Sequence, residues 1–231
     1  MKTLVLSTLS IGVLALSASQ ISAQTVTIDP SALTLGYMNW QPTAYTLANF
    51  PGDGGTGSSA WGAAALQANF SGTTLTIQPN VNTYTPGNAY WNNPDGTGAN
   101  QMDANFYNET TGVYVNTTLT FTFDVVANTL SAPYNSIAFI KDFTSSYSSS
   151  TESSIALTSG IETISLTTSA NAGDHIQYGF ETFGPDTDPA SAAALESVVI
   201  TPVTAVPEPA TWAWAGSGSL LLVSMFRRRN K

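Results

Sequence analysis

The chain contains no cysteine. Disulfide staples, thiol chemistry and Cys-ligated metals are therefore closed to it. Cations are almost as scarce. Of six Lys and Arg, Lys2 stands near the start and Arg227, Arg228, Arg229 and Lys231 stand at the end, so Lys141 alone remains between them. Fourteen of the fifteen acids lie in that middle stretch, which gives residues 24–205 a net charge of −13. Such a surface repels phosphate backbones and anionic lipid headgroups, whose binding needs clustered Lys and Arg. Nucleic acid, nucleotides and polyanions are excluded as expected partners, and neutral polar molecules or cations are favoured. With one histidine, His175, triads and zinc sites lack their parts, and there is neither a Gly-x-Ser-x-Gly elbow nor a His-Glu-x-x-His helix. Charged residues are 9% of the chain against about a quarter in ordinary domains. Thr, Ser and Asn stand in for them, as suits the hydroxyl and amide surface of an exported β protein.

What is present is clearest at the two ends. Lys2, the apolar segment 4–16 and the small pair Ser22-Ala23 read as a Sec signal peptide cut after Ala23. Ile21, three residues before that cut, departs from the small-x-small pattern, so the cut can move by a residue or two. At the other end Pro207-Glu208-Pro209 breaks any strand or helix. The uncharged stretch 210–226 behind it has 17 residues, just long enough for a transmembrane helix. Arg227-Arg228-Arg229-Asn230-Lys231 then holds the terminus on the cytoplasmic side by the positive-inside bias. The expected organisation is a signal peptide over 1–23, an ectodomain over 24–205, and a tail over 206–231 with its membrane helix at 210–226. The order of motif, apolar helix and basic cluster resembles the PEP-CTERM sorting signal of Gram-negative bacteria. That resemblance implies an exosortase as partner, transient anchoring in the inner membrane, and cleavage near Pro207-Glu208-Pro209. Delivery to the cell surface or its exopolysaccharide matrix would follow.

Between the ends the pattern has period two. Leu75 and Ile77 alternate with Thr74, Thr76 and Gln78. Val113, Val115, Leu119, Phe121, Phe123 and Val125 share one parity, with Thr118, Thr120, Thr122 and Asp124 on the other. Ile164 and Leu166 alternate with Thr163, Ser165 and Thr167, and Ile176, Tyr178 and Phe180 with His175, Gln177 and Glu181. One apolar and one polar face predicts antiparallel sheet. Turn clusters at 51–55, 92–96, 171–174 and 184–186 separate the runs. Helical periods are limited to 61–68 and 190–195, and the Ser-rich segment 145–154 reads as a mobile loop between two strands. About 180 residues suffice for one core without staples. The expected fold class is all-β: a single antiparallel β-sandwich of jelly-roll type.

Gly36-Tyr37-Met38-Asn39, Trp61, Tyr90-Trp91 and Met102-Asp103-Ala104-Asn105-Phe106-Tyr107 carry a second resemblance, together with Ala138-Phe139-Ile140-Lys141-Asp142-Phe143 and His175-Ile176-Gln177-Tyr178-Gly179-Phe180. Through them residues 36–200 resemble a β-sandwich module of secreted, PEP-CTERM-tailed proteins of Verrucomicrobia and Planctomycetes. The resemblance implies a fold similar to carbohydrate-binding jelly rolls, with no activity attached. Pro185-Asp186-Thr187-Asp188-Pro189 stands where it would lead one to expect an aromatic residue, so no sugar platform carries over there.

A sugar site needs flat rings for stacking and short polar groups for ring hydroxyls. The polar parities offer Asp103, Asn105, Tyr107 and Glu109 on one strand and His175, Gln177 and Glu181 on another, with Trp91 in a neighbouring Gly-rich loop. The candidate ligand-binding set is Trp91, Asp103, Tyr107, His175, Gln177 and Glu181. The same residues also read as the solvent face of a sheet, and Trp40 and Trp61 read as core. Asp95 with Asp103, or Asp186 with Asp188, offers the hard oxygens that a structural calcium takes, in no known calcium-loop spacing. No other cofactor is expected, and no residue is singled out as catalytic. The leading expectation is a non-enzymatic exported surface or matrix protein whose body binds carbohydrate weakly or packs into an extracellular matrix. The alternative is a glycan-active enzyme, a glycoside hydrolase or lyase, using paired carboxylates.

Overall fold

A computed structural model describes residues 22–27, 32–43 and 57–203. The apolar segment 4–16, the turn cluster 51–55, the Pro207-Glu208-Pro209 motif, the stretch 210–226 and Arg227-Arg228-Arg229 lie outside the described residues. Among the described residues no helix is long and apolar enough to cross a membrane.

The described residues form twelve strands: β1 (Ser22–Thr27), β2 (Leu35–Pro42), β3 (Gly57–Ala60), β4 (Ala68–Ser71), β5 (Thr74–Ile77), β6 (Asn100–Thr111), β7 (Thr117–Asn128), β8 (Asn135–Phe143), β9 (Ser150–Ala156), β10 (Gly160–Thr167), β11 (His175–Pro185) and β12 (Val198–Thr201). One helical turn, α1 (Pro189–Ala192), and a 3-10 turn, Ala193–Leu195, precede β12. Two sheets result. The first runs β4-β5-β12-β7, and β10 lies along the opposite edge of β7. The remaining length of the β12 edge is taken by β1, which pairs with Thr117 to Thr122 where β12 pairs with Asp124 to Asn128. The second sheet is antiparallel throughout, in the order β3-β2-β6-β11-β8-β9.

The period-two reading of β7 holds residue by residue. Leu119, Phe121, Phe123 and Val125 are buried, while Thr118, Thr120, Thr122 and Asp124 are half-exposed. The two sheets meet where Phe121 and Phe123 of β7 face Phe180 of β11, with ring centroids 5.5 and 5.2 Å apart. On the outer face of β7 and β10, hydroxyls pair across the strands: Thr118 with Thr167, Thr120 with Ser165 and Thr122 with Thr163, at 3.1, 2.9 and 3.1 Å. These cross-strand pairs do the surface work that charged pairs do elsewhere.

Four expectations change. The β1–β7 pair is parallel, which the long excursion through β2 to β6 between them permits. Residues 112–116 form a turn, and Val113 is 60% exposed, because the chain must reverse between β6 and β7. The serine-rich stretch is only partly a loop, since Ser150 to Ser154 pair with β8 as the outermost strand β9. Within 61–68, residues 63–67 make tight turns with no α-helix, and Ala68 opens β4. β1 also begins before the expected signal-peptide cut, and cleavage after Ala23 would leave Gln24 to Thr27 paired with Leu119 to Thr122.

Candidate functional site

Strand β6 places Asp103, Asn105, Tyr107 and Glu109 on one face of the second sheet, because alternate residues share a face, while Met102, Ala104 and Phe106 enter the core. Register brings β11 alongside, so that Glu109 faces Gln177, Tyr107 faces Gly179 and Asn105 faces Glu181. On the far side of β11, Gln177 faces Lys141 of β8, and Lys141 faces Glu152 of β9. On the near side, β2 supplies Asn39 opposite Asp103 and Tyr37 opposite Asn105. The result is a cleft of about 970 Å3 on the outer face of this sheet. Tyr37, Asn39, Asp103, Asn105, Tyr107, Glu109, Lys141, Glu152 and Gln177 line it, together with the 147–150 turn.

A chain of polar contacts crosses the floor. Asp103 accepts from the amides of Asn39 (2.9 Å) and Asn105 (2.7 Å). Lys141 Nζ donates to Asn105 Oδ1 (3.2 Å), reaches Glu181 Oε2 at 3.5 Å, lies 4.0 Å from Glu152 and rides 4.3 Å above the Phe139 ring. Burial pushes the Glu181 carboxyl well above its ordinary range, and the Asp103 charge adds to this against the pull of Lys141. Burial alone would lower the pKa of Lys141, but Glu181, Asp103 and Glu152 outweigh it and hold the ammonium charged. Gly179 completes the floor. A Cβ there would come within 2.2 Å of the Phe106 carbonyl and 2.8 Å of Tyr107 Cβ, so only glycine lets the Tyr107 strand pass.

At the end of the cleft, Glu109 accepts from Gln177 Nε2 (2.7 Å) and from the Tyr147 hydroxyl (2.9 Å). The His175 ring stacks on Tyr147, with centroids 4.2 Å apart and planes 11° apart, and its Nδ1 lies 2.8 Å from Thr111 Oγ1. Tyr147 sits at φ +56, a left-handed conformation uncommon outside glycine. It remains 45% exposed. Burial, followed by the bond to Glu109, raises its phenol pKa to about 12. The phenol is thus a permanent donor beside an exposed ring.

Of the six residues drawn from sequence, Asp103, Tyr107 and Gln177 line this cleft. His175 supports its end through Tyr147, and Glu181 is buried beneath Lys141. Trp91 stands elsewhere. It packs 5.6 Å from Trp40, itself 6.3 Å from Trp61, and all three are half-buried against the core. Trp40 occupies the core-facing parity of β2, opposite Asn39 and Tyr37, so this aromatic group lies on the other face of the sheet. Asp95 is exposed and bonded to Thr97, while Asp103 is bonded to amides in the cleft. Among the described residues no three His, Asp or Glu side chains converge as a metal cluster would require.

Sequence reading missed Lys141, Tyr147, Tyr37, Asn39 and Glu152. Lys141 carried a signal, as the one cation of the body, and so did Tyr147, the one aromatic residue between Phe143 and the end of the serine run. An all-β body of two facing sheets, with a polar, tyrosine-rimmed cleft on the outside of one, is what fold and site define. No protein family, curated protein or solved structure matches the chain.

Proposed function

We propose that this is an exported, exosortase-sorted protein of the cell surface or extracellular matrix, and that its body binds a neutral polysaccharide in the cleft of the second sheet. On this reading the sandwich is of jelly-roll, carbohydrate-binding-module-like type, and residues 210–226 form the membrane helix of a tail that starts at Pro207-Glu208-Pro209. The observation that carries the binding role is the cleft itself. Amides, carboxylates and the Tyr147 phenol stand beside partly exposed rings along a groove of about 970 Å3, the combination that ring hydroxyls and sugar faces require. Two features favour binding over catalysis. Asp103 and Glu109 are six residues apart on one strand, about 20 Å, beyond either carboxylate spacing of glycosidases. Glu181, the carboxyl nearest in register to this pair, is covered by Lys141.

The test is retention of the purified body on a panel of polysaccharides, with product analysis of the same mixtures. Retention without released oligosaccharide is expected, with little dependence on salt because a neutral sugar displaces no counterions. Tyr147→Ala should weaken binding about tenfold, whereas Trp61→Ala should act only through stability. Released oligosaccharide would establish the enzyme instead, and failure to bind any glycan would leave a purely structural matrix role. Sorting has its own readout. Neutral replacements of Arg227, Arg228 and Arg229 should reduce inner-membrane retention, since clustered guanidiniums oppose translocation of the terminus. Unchanged fractionation would overturn the sorting reading.

A further inference from the structure

Asp186 follows the end of β11, 1% exposed, and neither carboxylate oxygen has a hydrogen-bond partner. The Thr83 hydroxyl and the Thr187 amide face it and pull its acidity the ionised way, but no bond of ordinary length and angle closes to either oxygen. Thr83 Oγ1, on a residue 9% exposed, is likewise unpartnered. The carboxylate and the Thr83 hydroxyl thus face each other in a buried position with no closed hydrogen bond between them. A buried anion in that condition costs several kcal/mol unless a cation or donor compensates it. Further oxygen groups lie near it: Asp188 and Asp186 both act on the Tyr84 phenol, and the buried Tyr134 phenol also senses Asp186.

The position explains what such a cation would do. Residues 78–99 join β5 to β6 without a strand or helix, 22 residues in all. Irregular connections of that length are uncommon in a compact domain unless something ties them down. This one is tied at the Asp186 segment. Asp186 donates its backbone amide to the Asn100 carbonyl, Thr187 does so to the Asn80 carbonyl, and Gly98 passes so close that a Cβ would lie 2.1 Å from the Asp186 carbonyl. No disulfide can perform this role in a cysteine-free chain.

We propose that Asp186 and Thr83 hold one calcium ion, which pins the 78–99 connection to the end of β11. Hard oxygen donors select calcium over softer metals. Two protein side chains, with water and main-chain oxygens completing the shell, fit the weak, sub-millimolar to millimolar class of extracellular calcium sites. The site does not depend on the glycan reading, and its test does not involve sugar.

The experiment is a calcium titration of the purified body after chelation, followed by melting temperature and by terbium luminescence excited through tyrosine. The wild type should melt about 3–6 °C higher at calcium tenfold above the dissociation constant. Terbium should bind one to one with tyrosine-sensitised emission that calcium displaces. Asp186→Asn should lose both responses, and Thr83→Val should weaken calcium binding several-fold while the protein still folds. A melting temperature indifferent to calcium in the wild type would overturn the proposal, and that result needs no variant. So would an Asp186→Asn protein that responds to calcium as the wild type does, since the acidic surface would then be the binding site. An Asp186→Asn protein that is more stable and insensitive to calcium alongside an unresponsive wild type would show that the carboxyl carries a proton instead.

Discussion

Phe121→Asp is expected to abolish cooperative unfolding, while Thr120→Asp, one residue away, leaves a single sharp transition. Phe121 is fully buried, and its ring lies 5.1 Å from Phe123, 5.6 Å from Tyr178 and 5.5 Å from Phe180. It therefore joins the two sheets at the middle of the core. Losing the ring costs about 3–5 kcal/mol from packing and cavity alone. An unpaired carboxylate in its place adds several more. The sum consumes most of the 5–15 kcal/mol that an ordinary domain possesses. Thr120 points the other way and shares a hydroxyl contact with Ser165 on the outer face, so its replacement should cost within about 1 kcal/mol. Urea denaturation followed by far-ultraviolet circular dichroism distinguishes the two. Equal damage from both would mean that the outer face of β7 is covered as well.

That contrast marks how far the fold was readable from sequence. Strand β7 declares itself because its polar parity consists of Thr and Asp and its apolar parity of Leu, Phe and Val, with no exception over the eight residues 118–125. Strand β11 shows where parity alone misleads. Its alternation of Ile176, Tyr178 and Phe180 with Gln177 and Glu181 predicts one wet face, yet Gln177 and Glu181 are buried too. Polar residues are read as solvated until a neighbour is known, and here Lys141 and Glu109 supply the partners that burial requires. The parallel β1–β7 pair was invisible for a similar reason. Pairing partners across some ninety intervening residues leave no local periodicity.

The site was legible as a parity and illegible as a place. Asp103, Asn105, Tyr107 and Glu109 share a face in any strand, so β6 alone revealed its wall. Which strands flank β6, and in what register, decides that Asn39 reaches Asp103 and that Lys141 reaches Asn105. Trp91 reads as a stacking ring from sequence because Gly-rich loops expose what they carry. Its neighbours Trp40 and Trp61 instead draw it against the core, and Tyr147 takes the exposed position at the cleft. Loop conformation, including the positive φ that aims Tyr147, has no period to read.

The second large effect is expected from Lys141→Met, and it should depend on pH. Lys141 is the only cation of the body and lies against Glu181, Asp103 and Glu152. The folded wild type retains the Glu181 proton up to about pH 8, where the unfolded chain releases it near 4.5. Stability from this group is therefore complete below about 4.5 and is lost as pH rises through about 8. Removing Lys141 takes away the charge and hydrogen bond that hold the Glu181 pKa down. The fall in stability should then extend to higher pH and deepen, costing about 3–5 kcal/mol once Glu181 ionises beside Asp103. In mild acid, with Glu181 protonated in both states, Met fits the apolar side of the Phe139 ring and the deficit should nearly vanish. The double variant Lys141→Met/Glu181→Gln should recover most of the alkaline loss, because Asp103 keeps its amide partners Asn39 and Asn105. Denaturant midpoints for the three proteins across the range from about 4.5 to above 8 measure this directly. A deficit in Lys141→Met that does not change with pH, or no rescue in the double variant, would show that Glu181 is not the group that Lys141 neutralises.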